Sequence, residues 1–194
     1  MTNYYCLVTG LPELSLEDGK LSYTVSNFKT EIYPQLSKAD KKLVDMFYLK
    51  FDNRNLLTLL KDKEASVDTS LGNYSADELL SVIASFKEET APDKKFPAYF
   101  YEFAELYLNT PDEERWGLED KLHGFYYNHA MKSGNPFVSA WFELNLDVNN
   151  ILAAMTARKY KMEVAKVPVG EKLVAEALRS SNARDFGLAD DLEY

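Results

Sequence analysis

Apolar residues recur every three or four positions along most of this chain, the spacing that places them on one face of an α-helix. The apolar segments open on residues that commonly cap helices, at Ser37, Ser75, Thr110 and Asn135. At Ser75 a glutamate three positions later completes a capping box. We therefore predict six or seven helices and an all-α fold.

The first predicted helix covers about residues 22–33, and the last three cover about 110–132, 135–161 and 169–179. Residues 3–9, NYYCLVT, are too few for periodicity to decide, and they indicate either a short strand or the start of a helix. The tail NARDFGLADDLEY is polar and acidic. We expect it to lie on the surface or in a partner.

Composition supports a single helical domain. The 194 residues include only 8 glycines and 7 prolines, which disfavours an all-β fold with its many turns. The length suits one domain with a sizeable core, and no linker is long enough to separate two domains. We predict one domain over residues 1–194.

The charge excludes some classes of partner. There are 31 acidic and 22 basic residues, and the net charge is −9. Such a surface repels nucleic-acid phosphates and anionic lipid. No run approaches the roughly 18 consecutive apolar residues of a transmembrane helix, and the N-terminus does not resemble a secretory signal. We expect a cytoplasmic protein that neither binds nucleic acid nor inserts into a membrane.

The sequence contains no recognisable catalytic or cofactor-binding set. His123 and His129 are six residues apart on a predicted helix and point to different faces, so they cannot share a metal ion. Cys6 lies among apolar residues and is expected to be a buried small hydrophobe. Asp185-Phe-Gly187 imitates part of a kinase motif, but the other kinase motifs and the phosphate-binding glycine loops are absent. We expect no cofactor and no catalysis.

The run FPAYFYEFAELY is dense in aromatic residues. Because its aromatic residues follow helical spacing, we interpret it as core rather than as a binding surface.

One polar pattern occurs twice, in residues 47–63 and in residues 142–158. Both segments carry an aromatic, an apolar residue, Asp-x-x-Asn, an apolar helix and a basic residue. The polar positions are Asp52 and Asn55 in the first segment and Asp147 and Asn150 in the second. Internal repeats in helical proteins usually mark similar stacked units, here about 1–95 and 96–194. The alternative is two ordinary amphipathic helices with caps.

The segment LDVNNILAAMTARKY resembles the D-x-x-N-[IL]…R-x-K helix of the C-type adaptor subunits of V- and A-type ATPases, which are called d-type in eukaryotes. The N-terminal LVTGLPELSL resembles the opening of the same family. Arg158 matches the family arginine, whereas the first segment has Lys63. Members of that family are longer and usually contain three repeats, which makes this chain similar to a shortened relative.

The resemblance implies a non-catalytic adaptor that links the central stalk of a rotary ATPase to its membrane ring, in a complex that transports ions or protons. The implied partners are stalk and ring subunits, reached from the inner face of the membrane. Asp52, Asn55, Asp147, Asn150 and Arg158 would then bind a partner or order the helices. Two alternatives remain open: a helical interaction module unrelated to the ATPase, and an enzyme with an unrecognised acidic or tyrosine-based site.

Overall fold

The computed structural model describes residues 4–13, 15, 17, 19, 23–88 and 90–188. Of these residues 67% are helical, and none forms a strand. In chain order the α-helices are α1 (Tyr5–Thr9), α2 (Val25–Asn27), α3 (Lys38–Lys61), α4 (Ala76–Glu88), α5 (Ala98–Asn109), α6 (Leu118–Met131), α7 (Pro136–Lys159) and α8 (Leu173–Ser180). The predicted all-α fold is confirmed.

Shorter helical segments connect these elements. A π-helix (Phe28–Ile32) and a 3-10 turn (Tyr33–Gln35) continue α2. Two further 3-10 turns, Asp112–Gly117 and Val164–Lys166, precede α6 and α8.

Three of the four predicted helix starts are confirmed by their hydrogen bonds. The Ser37 hydroxyl accepts the amide of Asp40 at 3.1 Å. At α4 the Ser75 hydroxyl accepts the Glu78 amide at 3.3 Å, and the Glu78 carboxylate accepts the Ser75 amide at 2.7 Å. The Asn135 side chain accepts the amide of Val138 at 3.0 Å and starts α7.

The start predicted at Thr110 is wrong. Thr110 lies at the end of α5, where its hydroxyl donates to the carbonyl of Leu106 at 2.7 Å. Thr110 is thus the C-cap of α5, and no side chain caps the turn that follows. A 3-10 turn follows instead, and α6 begins at Leu118.

The expectations for the N-terminus are also corrected. Residues 5–9 form the helix α1 rather than a strand. A single helical turn makes local hydrogen bonds, such as that from the Val8 amide to the Tyr4 carbonyl at 2.8 Å, whereas a strand needs a neighbour to pair with. No residue of α1 is buried, and Cys6 is exposed, so it is not the buried hydrophobe that its apolar neighbours suggested.

The chain divides into two compact units, residues 1–80 and 81–194, and the boundary falls inside α4. In the first unit the buried apolar residues of α3 lie from the middle of the helix onward, where Leu49, Leu56 and Leu59 have almost no exposed surface. The predicted single domain and its repeat boundary near residue 95 stay predictions.

In the second unit, α6 packs against α5 and α7, and α8 packs against α7. The aromatic run of α5 contributes to its core, as predicted. The buried members of that run are Phe96, Tyr99, Phe100, Phe103 and Tyr107. Between α6 and α7, the rings of Tyr126 and Phe142 meet edge to face at 5.4 Å.

Within the described part of the chain, none of the helices has both the length and the apolar character needed to cross a membrane.

We expect Asn135→Ala to lower the free energy of unfolding by about 1 kcal/mol, because the first turn of α7 loses its side-chain cap. Asn135→Ser, which keeps a capping oxygen, is the matched control and should stay close to wild type. Urea denaturation followed by circular dichroism measures both. An alanine variant as stable as the serine variant would contradict the capping role.

Candidate functional site

The first Asp-x-x-Asn pair lies on the buried side of α3. Asp52 is 0% exposed and Asn55 is 6% exposed. Residues three apart share one side of a helix, and both side chains reach the loop between α3 and α4. The pair therefore joins a helix to the backbone that follows it.

The Asp52 carboxylate binds the loop residues that lead into α4. Oδ1 accepts the backbone amides of Asn73 at 2.8 Å and Tyr74 at 3.1 Å. Oδ2 accepts the side-chain amide of Asn73 at 2.9 Å. Two backbone donors of partly buried residues are thus paired.

Burial raises the pKa of Asp52 from 3.8 to about 6. The hydrogen bonds from Asn73 and Tyr74 and the charge of Lys29 oppose this shift, because each favours the ionised carboxylate. Desolvation is the larger effect in this fully enclosed position.

Gly72 must be a glycine for the loop to approach α3 this closely. A β-carbon at Gly72 would overlap Oδ1 of Asp52 and would lie 3.2 Å from its Cγ. The requirement for glycine at position 72 is therefore steric.

Other polar groups surround Asp52, and sequence reasoning missed them. The Lys29 ammonium donates to the carbonyl of Gly72 and lies 4.7 Å from the centre of the Tyr48 ring. The Tyr33 hydroxyl donates to Asp45 at 2.6 Å, and burial raises the pKa of Asp45. No local sequence motif predicts this network, because its members come from three separate segments of the chain.

This cluster contains the carboxylates and tyrosines that an acidic or tyrosine-based enzyme site, one of the alternatives from the sequence, would need. Asp52 has no exposed surface, and its oxygens are engaged by the loop. A substrate would have to displace residues 72–74 to reach them. This geometry fits a structural role, in which Asp52 binds the loop to α3.

Asn55 holds a second point of the same loop, where its side-chain amide donates to the carbonyl of Asp68 at 2.9 Å. A small open cleft of about 220 Å³ lies beside it. The cleft is lined by Phe51, Arg54, Asn55, Thr58, Ser66, Val67, Asp68 and Leu71.

The second Asp-x-x-Asn pair is buried in α7 in the same manner. Asp147 and Asn150 have almost no exposed surface. The Asn150 amide donates to the carbonyl of Val169 and accepts its backbone amide, both at 2.8 Å. Because Val169 is held in this two-point pair and Gly170 adopts a positive φ of 84°, α8 begins at Leu173 rather than near 169 as predicted.

The two Asp-x-x-Asn pairs have the same structural role, since each asparagine binds the backbone of the segment that follows its own helix. They differ in span, as the partner carbonyl lies 13 residues beyond Asn55 and 19 beyond Asn150. The idea that the whole flanking units follow one backbone course stays a prediction.

Arg158 binds the C-terminal segment of its own unit. Its guanidinium donates to the carbonyls of Ser181 at 3.2 Å and Arg184 at 3.0 Å. It also lies 3.6 Å from the centre of the Phe186 ring. Phe186 is buried with Ala154, Val174 and Leu178, so the expectation that the tail lies on the surface or in a partner is wrong at this residue. Residues 189–194 of the tail lie outside the described residues.

The histidines do not come together with other possible ligands. His123 is exposed, whereas His129 is half-buried with its ring 5.3 Å from Tyr99. Burial lowers the pKa of His129. The part of the chain that the structure describes contains no group of three or more side chains positioned to hold a metal ion.

A surface that sequence reasoning missed runs along α7, opposite its buried side. Six large apolar side chains there are between 41% and 69% exposed. They are Phe137, Trp141, Leu144, Val148, Leu152 and Met155, which we call the outer face of α7. The signal was present in the sequence as a second apolar stripe on the same helix, at spacings of three and four.

The outer face also lacks exposed charge. Between residues 137 and 156 the charged residues are Glu143 and Asp147. Glu143 is ion-paired with Lys172 at 2.6 Å, and Asp147 is buried. Contiguous apolar surface of this kind marks interaction sites on proteins.

We expect Gly72→Ala to lower the free energy of unfolding by about 2–3 kcal/mol, because the new methyl group displaces the Asp52 carboxylate from its backbone donors. Gly117→Ala is the matched control: no atom lies within 4 Å of its added β-carbon, and its stability should stay within about 0.5 kcal/mol of wild type. Guanidinium denaturation measures both variants. Equal stability of the two would show that the loop does not need the close approach.

The raised pKa of Asp52 predicts a specific pH dependence. Between pH about 4 and 6 the folded state binds a proton that the unfolded state has released, so this group's contribution to stability falls as pH rises. The loss approaches about 3 kcal/mol above pH 6, from the separation of 3.8 and about 6. Asp52→Asn removes the titration.

The measurement is the difference in unfolding free energy between wild type and Asp52→Asn at several pH values from 4 to 7. The unfolding free energy of wild type should fall relative to that of the variant as pH rises from 4 to 7. The contributions of other titrating groups cancel in this difference. A difference that stays constant with pH would contradict the raised pKa.

The family of the chain follows from a match over its whole length. No curated protein and no solved structure matches the chain. One family model, described as "Protein of unknown function (DUF2764)", matches residues 1–194, and the chain belongs to this family.

Proposed function

We propose that this protein is a non-catalytic adaptor subunit of a V-type rotary ATPase, which binds stalk and membrane-ring subunits. It would act at the inner face of the membrane, held there by its partner subunits. The single observation that carries the proposal of a binding protein is the outer face of α7. The ATPase is suggested by the resemblance of the Asp-x-x-Asn…Arg helix to the C-type adaptor subunits.

The outer face suits an adaptor because it is large, apolar and carried on a rigid helix. The opposite side of α7 is packed through Phe142, Leu146 and Ala154. A helix that is apolar on both sides has the character of a buried helix. A partner that covers the outer face would bury the side that is now exposed.

The Asp-x-x-Asn residues support this role indirectly. Asn150 ties α7 to the segment before α8, and Arg158 ties it to residues 181–186. Their function is to keep α7 in position, so partner contact falls to the outer face. Replacing these residues would first affect stability.

A helical interaction module unrelated to the ATPase is the second candidate, and the same outer face favours it. The two differ only in the identity of the partner. Recovery of the native complex therefore separates them.

The test is purification of the tagged full-length protein from its native cells in mild detergent and low salt. We expect wild type to recover stalk or ring subunits. The double variant Trp141→Glu/Val148→Glu should bind them at least roughly 30-fold more weakly, because two central apolar contacts are replaced by charges.

Leu173→Glu is the matched control, since Leu173 is 79% exposed and lies in α8 rather than on the outer face. It should recover the same subunits as wild type. Thermal unfolding followed by circular dichroism should show all variants folded. Recovery of other proteins without any ATPase subunit would replace the adaptor proposal by the interaction module, and full recovery by the double variant would move the contact away from α7.

A further inference from the structure

We propose that residues 181–188, which we call the C-terminal strap, occupy a binding pocket for an aromatic side chain of a partner segment, and that the partner binds by displacing the strap. In the structure the ring of Phe186 takes the place of that aromatic side chain. This contact does not involve the outer face of α7, so the purified chain is enough to test it.

The pocket lies where α7, α8 and the 3-10 turn Val164–Lys166 meet. These three elements contact one another directly. The apolar side chains clustered with the Phe186 ring are Ile151, Ala154, Val164, Val174 and Leu178. Because the walls of the pocket are packed against each other and not only against the strap, they stay in place when the strap leaves.

Most of the strap lies on the surface. Residues 182–185 and Gly187 are exposed, whereas Phe186 is only 4% exposed. Leu188 is partly buried beside it. The attachment of the strap to the rest of the unit is therefore concentrated around one aromatic ring.

One cationic side chain supplies the polar contacts of the strap. The amide of Ser181 continues the hydrogen bonding of α8 by donating to the carbonyl of Ala177 at 2.9 Å. Apart from this bond, Arg158 supplies every hydrogen bond that joins the strap to another element in the described part of the chain. Its guanidinium binds the carbonyls of Ser181 and Arg184 and lies against the Phe186 ring. Loss of this one set of contacts would free the whole strap.

The backbone of the strap is in an unfavourable conformation at its anchor. Phe186 has a φ of 60° and Gly187 a φ of 71°, and the amide of Leu188 closes a turn on the carbonyl of Asp185 at 3.2 Å. A turn with positive φ at both central residues favours Asn, Asp or Gly. A bulky L-residue such as Phe is destabilised there. The turn thus depends on burial of the ring and not on a local preference of the sequence.

A segment that is exposed, strained and anchored at one point opens more easily than the helices beneath it. The open pocket then offers an apolar cavity beside a guanidinium. Arg158 attracts an aromatic ring through cation–π contact and has donors for backbone carbonyls. The strap itself shows that a peptide segment with an aromatic residue satisfies all of these groups.

The strain at Phe186 decides between the possible occupants. The strap of a second copy would carry the same left-handed turn and the same conformational cost. A partner segment that presents an aromatic side chain from an ordinary backbone conformation avoids this cost. The pocket therefore favours the partner segment over an exchanged strap.

Hydrogen exchange on the full-length wild-type protein tests whether the strap opens by itself. We expect the amides of Phe186 and Leu188 to have protection factors at least roughly 100-fold lower than those of Leu146 and Ala154 in α7. Equal protection of the strap and α7 would mean that the strap leaves only when the unit unfolds, and this would overturn the proposal.

Gly187→Ala and Gly134→Ala form a matched pair for the strain. Both glycines have a positive φ, and an added β-carbon meets nothing closer than the Ser181 Oγ at 3.7 Å in the first case and nothing within 4 Å in the second. Gly187→Ala should speed exchange of the strap amides by about 5- to 30-fold, the cost of a left-handed alanine. Gly134→Ala, which adds the same cost between α6 and α7, should leave strap exchange unchanged.

A synthetic peptide with the sequence of residues 181–188 probes the pocket. Because the attached strap competes at an effective concentration of about millimolar, binding is followed by NMR of the Val174 and Leu178 methyl groups up to high peptide concentration. The apparent affinity should rise in Gly187→Ala by the same factor as strap exchange, since both depend on the open fraction. A peptide with alanine in place of phenylalanine should not bind.

A second peptide, which keeps the phenylalanine but has alanine in place of glycine, separates the two occupants. We expect it to bind at least as tightly as the first peptide, because an incoming aromatic residue does not need the left-handed turn. Binding of the glycine peptide alone would replace the partner by exchange of straps between copies. Absence of binding by both peptides, with the strap open in wild type or in a folded Gly187→Ala variant, would overturn the proposal.

Discussion

The architecture of each unit depends on a buried polar side chain that holds the backbone following its own long helix. A loop that leaves a helix and turns back along it has amides and carbonyls that cannot all pair with one another. Asp52 accepts two such amides in the first unit, and Asn150 pairs with both backbone groups of Val169 in the second. These hydrogen bonds hold the segment that follows each helix against that helix.

The burial of these groups also determines how their hydrogen bonds respond to pH. Enclosing Asp52 raises its pKa, because desolvation outweighs the hydrogen bonds that favour its charged form. Asn150 gains a comparable two-point contact with no charge to desolvate. The first unit thus contains a tie whose strength changes with pH, whereas the amide tie of the second unit has no such dependence. The space around Asp52 is filled so closely that Gly72 tolerates no β-carbon.

Local signals predicted much of the fold. Helix starts at Ser37, Ser75 and Asn135 followed from side chains that pair with the amide three residues away, which is information that a short stretch of sequence contains. The start predicted at Thr110 failed because this residue is the C-cap of α5, and the same short sequence is compatible with ending one helix or beginning the next. The network of Lys29, Asp45 and Asp52 was not predicted, since its members come from separate segments that only the tertiary structure brings together.

The Asp-x-x-Asn motif and the outer face of α7 have different roles on the same helix. The sequence indicated the residues of the motif as candidate contacts, yet Asp52, Asn55, Asp147 and Asn150 are interior. Their hydrogen bonds fix where each long helix lies and leave its opposite side uncommitted. In α7 that side is apolar and uncharged along about five turns. A polar motif buried within the fold can therefore indicate a binding helix without touching the partner, because a rigid, well-anchored helix loses little conformational freedom when a partner covers its remaining face.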